Sequence, residues 1–201
     1  MKYPICCTCA ETDSRKYTDR LLWWTGQLSE AVSRRNCELH VFNDGTFPED
    51  KARLEWLGVR IHEFPKLGRP TTTIFPSYKR NFREMCRMFP NGFTLIENDV
   101  MLLNREKIFG YMEKPGWLTG FSKKYNFIET AIMVINSPQL IARFRRHYED
   151  EGNLLERAVF ENVLHRLAED IGLAPQIVFT GERREESREY DSSYDYIAQF
   201  M

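Results

Sequence analysis

The stretch Phe93-Thr94-Leu95-Ile96-Glu97-Asn98-Asp99-Val100-Met101-Leu102-Leu103-Asn104 decides how the whole chain is read. Its first four residues follow Pro90-Asn91-Gly92 and form a short apolar run rich in β-favouring types, which predicts a buried central strand. Glu97, Asn98 and Asp99 then interrupt the run, and Val100 to Leu103 resume it. Two carboxylates at a strand end with apolar sequence on both sides are costly unless paired or bound to a cation. Glu97 and Asp99, two apart across a turn, can aim oxygen ligands at one hard divalent ion, Mn²⁺ or Mg²⁺. Without a cation, the same acids would accept hydrogen bonds from a neighbouring loop. The carboxyl edge of an open α/β sheet, where ligands bind, is the setting that favours the first reading.

Upstream, the pattern alternates strand and helix. Tyr3 to Thr8 predicts a first buried strand, and Tyr17, Leu21, Trp24, Leu28, Ala31 and Val32 recur at helical spacing after a polar turn at Glu11 to Ser14. Glu38 to Phe42 predicts a second strand, Pro48 to Leu57 a short helix and Val59 to Phe64 a third strand. Lys66 to Pro76 reads as a loop, and Ser77 to Phe89 as the helix that leads into the central strand. This order predicts a mostly parallel central sheet flanked by helices, an α/β fold of Rossmann-like layout.

Downstream, Arg105 to Met112 reads as helix, Trp117 to Phe121 and Thr130 to Ile135 as strands, and Ser137-Pro138 opens a helix through Tyr148. Asn153 to Asp170 reads as one further helix and Ile177 to Phe179 as a short last strand. Residues 1–180 are therefore expected as one domain. Residues 181–201, charged and tyrosine-rich, have too little aliphatic content for a core of their own and are expected as a lid, a docking segment or a frayed tail.

Composition narrows the function classes. The chain has 201 residues, enough for a proper core, and its 28 basic and 29 acidic residues give a net charge of −1, so no overall field recruits nucleic acid. No run approaches the roughly eighteen apolar residues of a membrane span. MKYPICCTCAE lacks the apolar core of a signal peptide, because Thr8 and Glu11 interrupt it. The five cysteines are then expected as reduced thiols in a cytoplasmic protein, and Cys6 and Cys9 have no second pair at zinc spacing.

A strand, acid-x-acid, strand sequence inside a βαβαβ chain resembles the GT-A fold of nucleotide-sugar glycosyltransferases, with Glu97-Asn98-Asp99 standing as a variant of the DxD motif. The resemblance covers roughly residues 3 to 180 and is mainly one of order and spacing. It implies a sugar transfer from a UDP- or GDP-linked donor to a hydroxyl on a glycan, a lipid-linked saccharide or a protein. It implies Asp99, and with Glu in first place less strictly Glu97, as ligands of Mn²⁺ or Mg²⁺ bridging the donor diphosphate. By the same likeness Thr8, Cys9, Ala10 and Glu11 would cup the nucleoside, Asn43 and Asp44 would face base or ribose, and Lys79, Arg80 and Asn81, with Asn98, would meet the donor. Trp117, Thr119 and Gly120 would lie on the acceptor side, with Trp117 as a stacking face. A carboxylate, Glu156 or its rival Glu129, would act as base, though neither is followed by the family's usual second acid. Arg183 and Arg184 could close over a diphosphate if the tail is a lid. His147 and His165 fall in helical stretches and are not expected as metal ligands. A lipid-linked acceptor would place the protein peripherally at a membrane. The alternatives are a non-catalytic nucleotide- or glycan-binding module, a transferase that has lost activity, and a sugar nucleotidyltransferase, whose glycine-rich phosphate loop is missing from CCTCAETDSRK.

Overall fold

The structure, a computed structural model, describes residues 2–9, 16–43, 48–65, 67, 76–122, 127–156, 160–183 and 194–198. The first half alternates as predicted: β1 (Tyr3–Cys9), α1 (Lys16–Arg34), β2 (Cys37–Asn43), α2 (Pro48–Trp56), β3 (Arg60–Glu63), α3 (Pro76–Met88) and β4 (Phe93–Ile96). Then come β5 (Met101–Leu102), α4 (Arg105–Tyr111), β6 (Gly116–Ser122), β7 (Phe127–Asn136), α5 (Pro138–His147), α6 (Glu151–Leu154), α7 (Phe160–Glu169), β8 (Gln176–Arg183) and β9 (Tyr196–Ala198).

The strands form one mixed sheet in the order β3-β2-β1-β4-β7-β6-β8-β9-β5. Pairings β1 with β2 and β4, β2 with β3, β6 with β8 and β8 with β9 are parallel. Those of β4 and β6 with β7, and of β5 with β9, are antiparallel. β7 thus begins beside the carboxyl end of β4, and Ile132 sits opposite Ile96.

Strand alternation sends side chains to two cores, one on each face. Ile5, Cys7, Ile96, Ile132 and Val134 pack with Trp24 and Leu28 of α1 and Ile108 of α4. Cys6, Phe93, Leu95, Met133 and Ile135 pack with Phe82 of α3, Phe144 of α5 and Leu164 of α7. Strands covered on both faces explain the near-continuous apolar runs in the sequence. Cys6, Cys7, Cys37 and Cys86 are buried free thiols. Burial pushes Cys37 up to about 11 and raises Cys6 and Cys86 as well, which keeps them protonated and unreactive near neutral pH.

Two expectations change here. The helix read over 153–170 is broken into α6 and α7, and the tail contributes β9 to the sheet. Tyr196, Ile197 and Ala198 are all buried. Aliphatic content did not signal this, because Tyr196 seats its ring against two backbones that carry no side chain. A Cβ on Gly181 or Gly120 would collide with that ring, and at Gly120 it would come within 2.7 Å of Tyr196 Cζ. Asp195 anchors the segment: its carboxylate accepts from Lys107 Nζ (2.6 Å) and from the Thr180 amide (2.8 Å), and its own carbonyl accepts from the amides of Leu103 and Asn104.

Candidate functional site

The acidic turn is held on both sides by α1. Trp24 Nε1 donates to the Ile96 carbonyl (3.0 Å), the last residue of β4. One helical turn on, Gln27 donates to the Val100 carbonyl (3.0 Å) and accepts from the Leu102 amide (2.9 Å). Its side-chain amide therefore satisfies β5 as a neighbouring strand would. Within the turn, Glu97 N donates to the Ala131 carbonyl of β7 and Val100 N to the Glu97 carbonyl. Glu97 and Asp99 are half-buried, and Asn98 between them is buried at 7% exposure. Glu97 Oε1 accepts from the Tyr78 hydroxyl at 3.1 Å.

The first turns of α3 brace the same edge. Lys79 is 1% exposed, and its Nζ donates to the Glu156 main-chain carbonyl at 2.7 Å. Burial pulls the Lys79 ammonium below its ordinary value, partly opposed by the Glu156 carboxylate. Arg80 donates through Nε and Nη2 to Asn81 Oδ1 and through Nη1 to the Pro65 carbonyl, and its guanidinium lies 4.9 Å from the Phe64 ring centroid. Asn81 in turn donates to the Phe42 carbonyl (3.0 Å). The polar residues expected to meet a donor thus bind the ends of β2 and β3 and the approach to α7.

Lys79 bonds the chain where the expected helix is interrupted, since the Glu156 carbonyl that accepts its ammonium follows the end of α6. Asp150 caps α6 through the Gly152 amide, and α7 restarts at Phe160. Glu156 therefore stands between helices, its carboxylate 4.0 Å from His147 Nε2. Burial, together with Arg166, lowers the His147 pKa.

The restart brings forward a carboxylate that the sequence reading missed. Glu161, in the first turn of α7, accepts from Thr130 Oγ1 at 2.9 Å. Thr130 precedes Ala131, whose carbonyl receives the Glu97 amide. The spacing of Phe160, Val163, Leu164 and Leu167, all buried, was the available signal, since it starts the helical stripe at Phe160.

Other predicted positions fall as follows. Thr8, half-buried, is near the end of β1 beside Phe42, and Asn43 is buried at the end of β2. Cys9 closes β1, Glu129 lies opposite Gly120 within β7, and Arg183 ends β8, each placed by its backbone. Ala10, Glu11, Asp44 and Arg184 lie outside the described residues. Trp117 is 0% exposed and meets His165 edge-on at 5.1 Å, so the ring expected to stack on an acceptor belongs to the core. Its strand alternation decides this, because Trp117 sits opposite Ile135 and shares its face. Thr119 is buried, with Oγ1 3.5 Å from the Ile132 carbonyl, and Gly120 lies beneath Tyr196.

No protein-family model matches the sequence, and no curated protein is similar to it in sequence. Solved structures do match. The glycosyltransferase GlyE of Streptococcus pneumoniae superimposes with a TM-score of 0.56 at 10% identity, over 88% of this chain and 45% of that one. Glucosyl-3-phosphoglycerate synthase of Mycobacterium tuberculosis, solved with Mn²⁺ and UDP, gives 0.40 at 14% identity, over 61% and 44%. A 4-diphosphocytidyl-2C-methyl-D-erythritol synthase gives 0.46 at 10%, over 89% and 88%. The fold is GT-A-like, as the superposition on the pneumococcal enzyme shows. The chain spans less than half the length of the pneumococcal enzyme. No described helix is long and apolar enough to cross a membrane.

Proposed function

We propose that this chain transfers a glycosyl group from a UDP- or GDP-linked sugar to a hydroxyl acceptor, with Mn²⁺ or Mg²⁺ at the acidic turn. The observation that carries the reading is the placement of Glu97 and Asp99 at the carboxyl end of β4, in a GT-A-like sheet, on a turn clamped by Trp24 and Gln27. The donor set fits a hard cation, because its groups are the carboxylates of Glu97 and Asp99. Among the described residues no group of three or more His, Cys, Asp or Glu side chains could hold a metal. Glu97 and Asp99 are the residues that would hold the ion. A bound divalent ion supplies charge stabilisation on the departing diphosphate.

The chain's own groups do the rest. The clamps from α1 fix the turn before substrate arrives, so little reorganisation accompanies reaction. Thr8 and Cys9 at the end of β1, with Ala10, Glu11 and Asp44 that follow the first two strands in sequence, hold the nucleoside in this reading. Lys79 and Arg80 support this edge from behind through the contacts described above. As the acceptor oxygen attacks the anomeric carbon, its proton passes to a carboxylate. Glu161 is the base in this reading, supported by its link through Thr130 and Ala131 to Glu97. Glu156 and Glu129 are the competing positions. The acceptor is a glycan, lipid-linked or protein hydroxyl, and because Thr119 is buried and Gly120 is covered by Tyr196, neither residue meets it.

Calorimetry with UDP and GDP, with and without Mn²⁺, tests the proposal alongside release of sugar from UDP- and GDP-sugars. Nucleotide binding that needs Mn²⁺ and is lost in Asp99→Ala, with an unchanged circular dichroism spectrum, is the expected result. Binding indifferent to the metal would overturn it. Metal-dependent binding without turnover would mark a binding module.

A further inference from the structure

One side chain of α3 touches both halves of the candidate site. Tyr78 donates its hydroxyl to Glu97 Oε1 (3.1 Å), and the same ring meets Phe160 edge-on, with centroids 5.0 Å apart and planes at 82°. Phe82, one turn further along α3, meets Phe160 in the same way at 4.9 Å and 70°. Phe160 is the first residue of α7 and is 6% exposed, so two rings of one helix face grip the start of that helix. Glu161 follows directly and is tied at its carboxylate to Thr130. Behind the contact, Lys79 holds the carbonyl of Glu156 on the approach to α7.

We propose that Tyr78 is a positioning residue that keeps the Glu97 carboxylate and the α7 terminus bearing Glu161 in one register. Its phenol tip serves the acidic turn and its apolar edge serves α7. The inference rests on the roles proposed above for the two carboxylates. The two duties separate chemically, since phenylalanine keeps the ring and loses the donor, while leucine loses both.

The experiment uses the full chain and three variants, Tyr78→Phe, Tyr78→Leu and Phe160→Leu. Mn²⁺ affinity is read by calorimetry in the presence of UDP, hydrogen exchange is read in residues 160–164, and kcat and KM are taken at saturating Mn²⁺. Tyr78→Phe is expected to weaken Mn²⁺ about tenfold, as loss of a partner to a metal ligand does, and to leave α7 exchange unchanged. Tyr78→Leu is expected to weaken Mn²⁺ equally, to speed exchange in 160–164 and to lower kcat with donor KM unchanged. Phe160→Leu is expected to weaken Mn²⁺ by loosening the ring contact with Tyr78, which a purely structural ring would not do. Wild-type Mn²⁺ affinity in Tyr78→Phe, or wild-type exchange in Tyr78→Leu, overturns the proposal. If the wild-type chain takes up no Mn²⁺, the transferase reading fails by itself and exchange in Tyr78→Leu alone decides the positioning role, faster exchange supporting it and unchanged exchange overturning it.

Discussion

Lys79 donates its ammonium to the main-chain carbonyl of Glu156, so two residues that sequence alone would send separately to the substrate are bonded to each other. Replacing Lys79 by Met keeps the bulk and removes the donor. The stranded carbonyl should cost about 1–3 kcal/mol, read from urea midpoints, while UDP affinity changes less than about twofold. A large loss of UDP affinity at unchanged stability would return Lys79 to the donor site.

Gln27 closes the outer side of β5 with two hydrogen bonds. Gln27→Ala leaves the Val100 carbonyl and the Leu102 amide without that partner, at a cost of about 1–3 kcal/mol. Exchange of the Leu102 amide should rise sharply, and Mn²⁺-dependent nucleotide binding should weaken because the acidic turn loses a clamp.

Glu161→Gln should lower kcat by about 100-fold or more with nucleotide affinity unchanged, the range expected when a general base is removed. Glu156→Gln should stay near wild type. The opposite ranking would assign proton removal to the residue between the helices.

Tyr196 lies over Gly120 and Gly181 with no room for a methyl group. Gly181→Ala should destabilise by about 1–3 kcal/mol and expose the tail to protease. Adding Tyr196→Ala should recover part of that loss, so the two substitutions should be non-additive in a double-mutant cycle.

His40 Nδ1 and His62 Nε2 are 3.0 Å apart on β2 and β3, and Glu38 and Arg60 adjoin them. Burial, then the neighbouring His62, lowers His40 to about 4, and burial lowers His62 too. The unfolded chain therefore binds more protons than the folded one below the ordinary histidine value near 6.5. Stability from this pair is fully present above that pH and falls as pH drops toward 4. Unfolding midpoints at several pH values should show a shallower acid loss in His62→Gln than in wild type. Equal slopes would remove the pair from the acid response.

Much of the fold was legible because strands covered on both faces leave apolar runs, and helices leave stripes. Phe93 to Ile96 was read to the residue, and the first four strands and three helices were placed within a few residues of their observed ends. The acidic turn was legible for the same reason, since Glu97 and Asp99 stand out against apolar neighbours. What failed has a common cause. A helix stripe does not reveal the interruption after α6, where a lysine from another helix bonds the Glu156 carbonyl, so 153–170 reads as continuous. An aromatic beside glycines reads equally well as a ligand platform or as core, and Trp117 proved to be core. Tyr196 needed Gly120 and Gly181, far away in sequence, to become a buried strand residue.

Local chemistry, then, determined the alternation of elements, the central strand and the charged break at its end, because periodicity and turn propensity act over a few residues. Tertiary structure alone decided which polar groups are free for chemistry. Lys79, Arg80 and Gln27 have the same donors in any conformation, but burial obliges each donor to find a partner, and only the packed chain determines whether that partner is substrate or backbone.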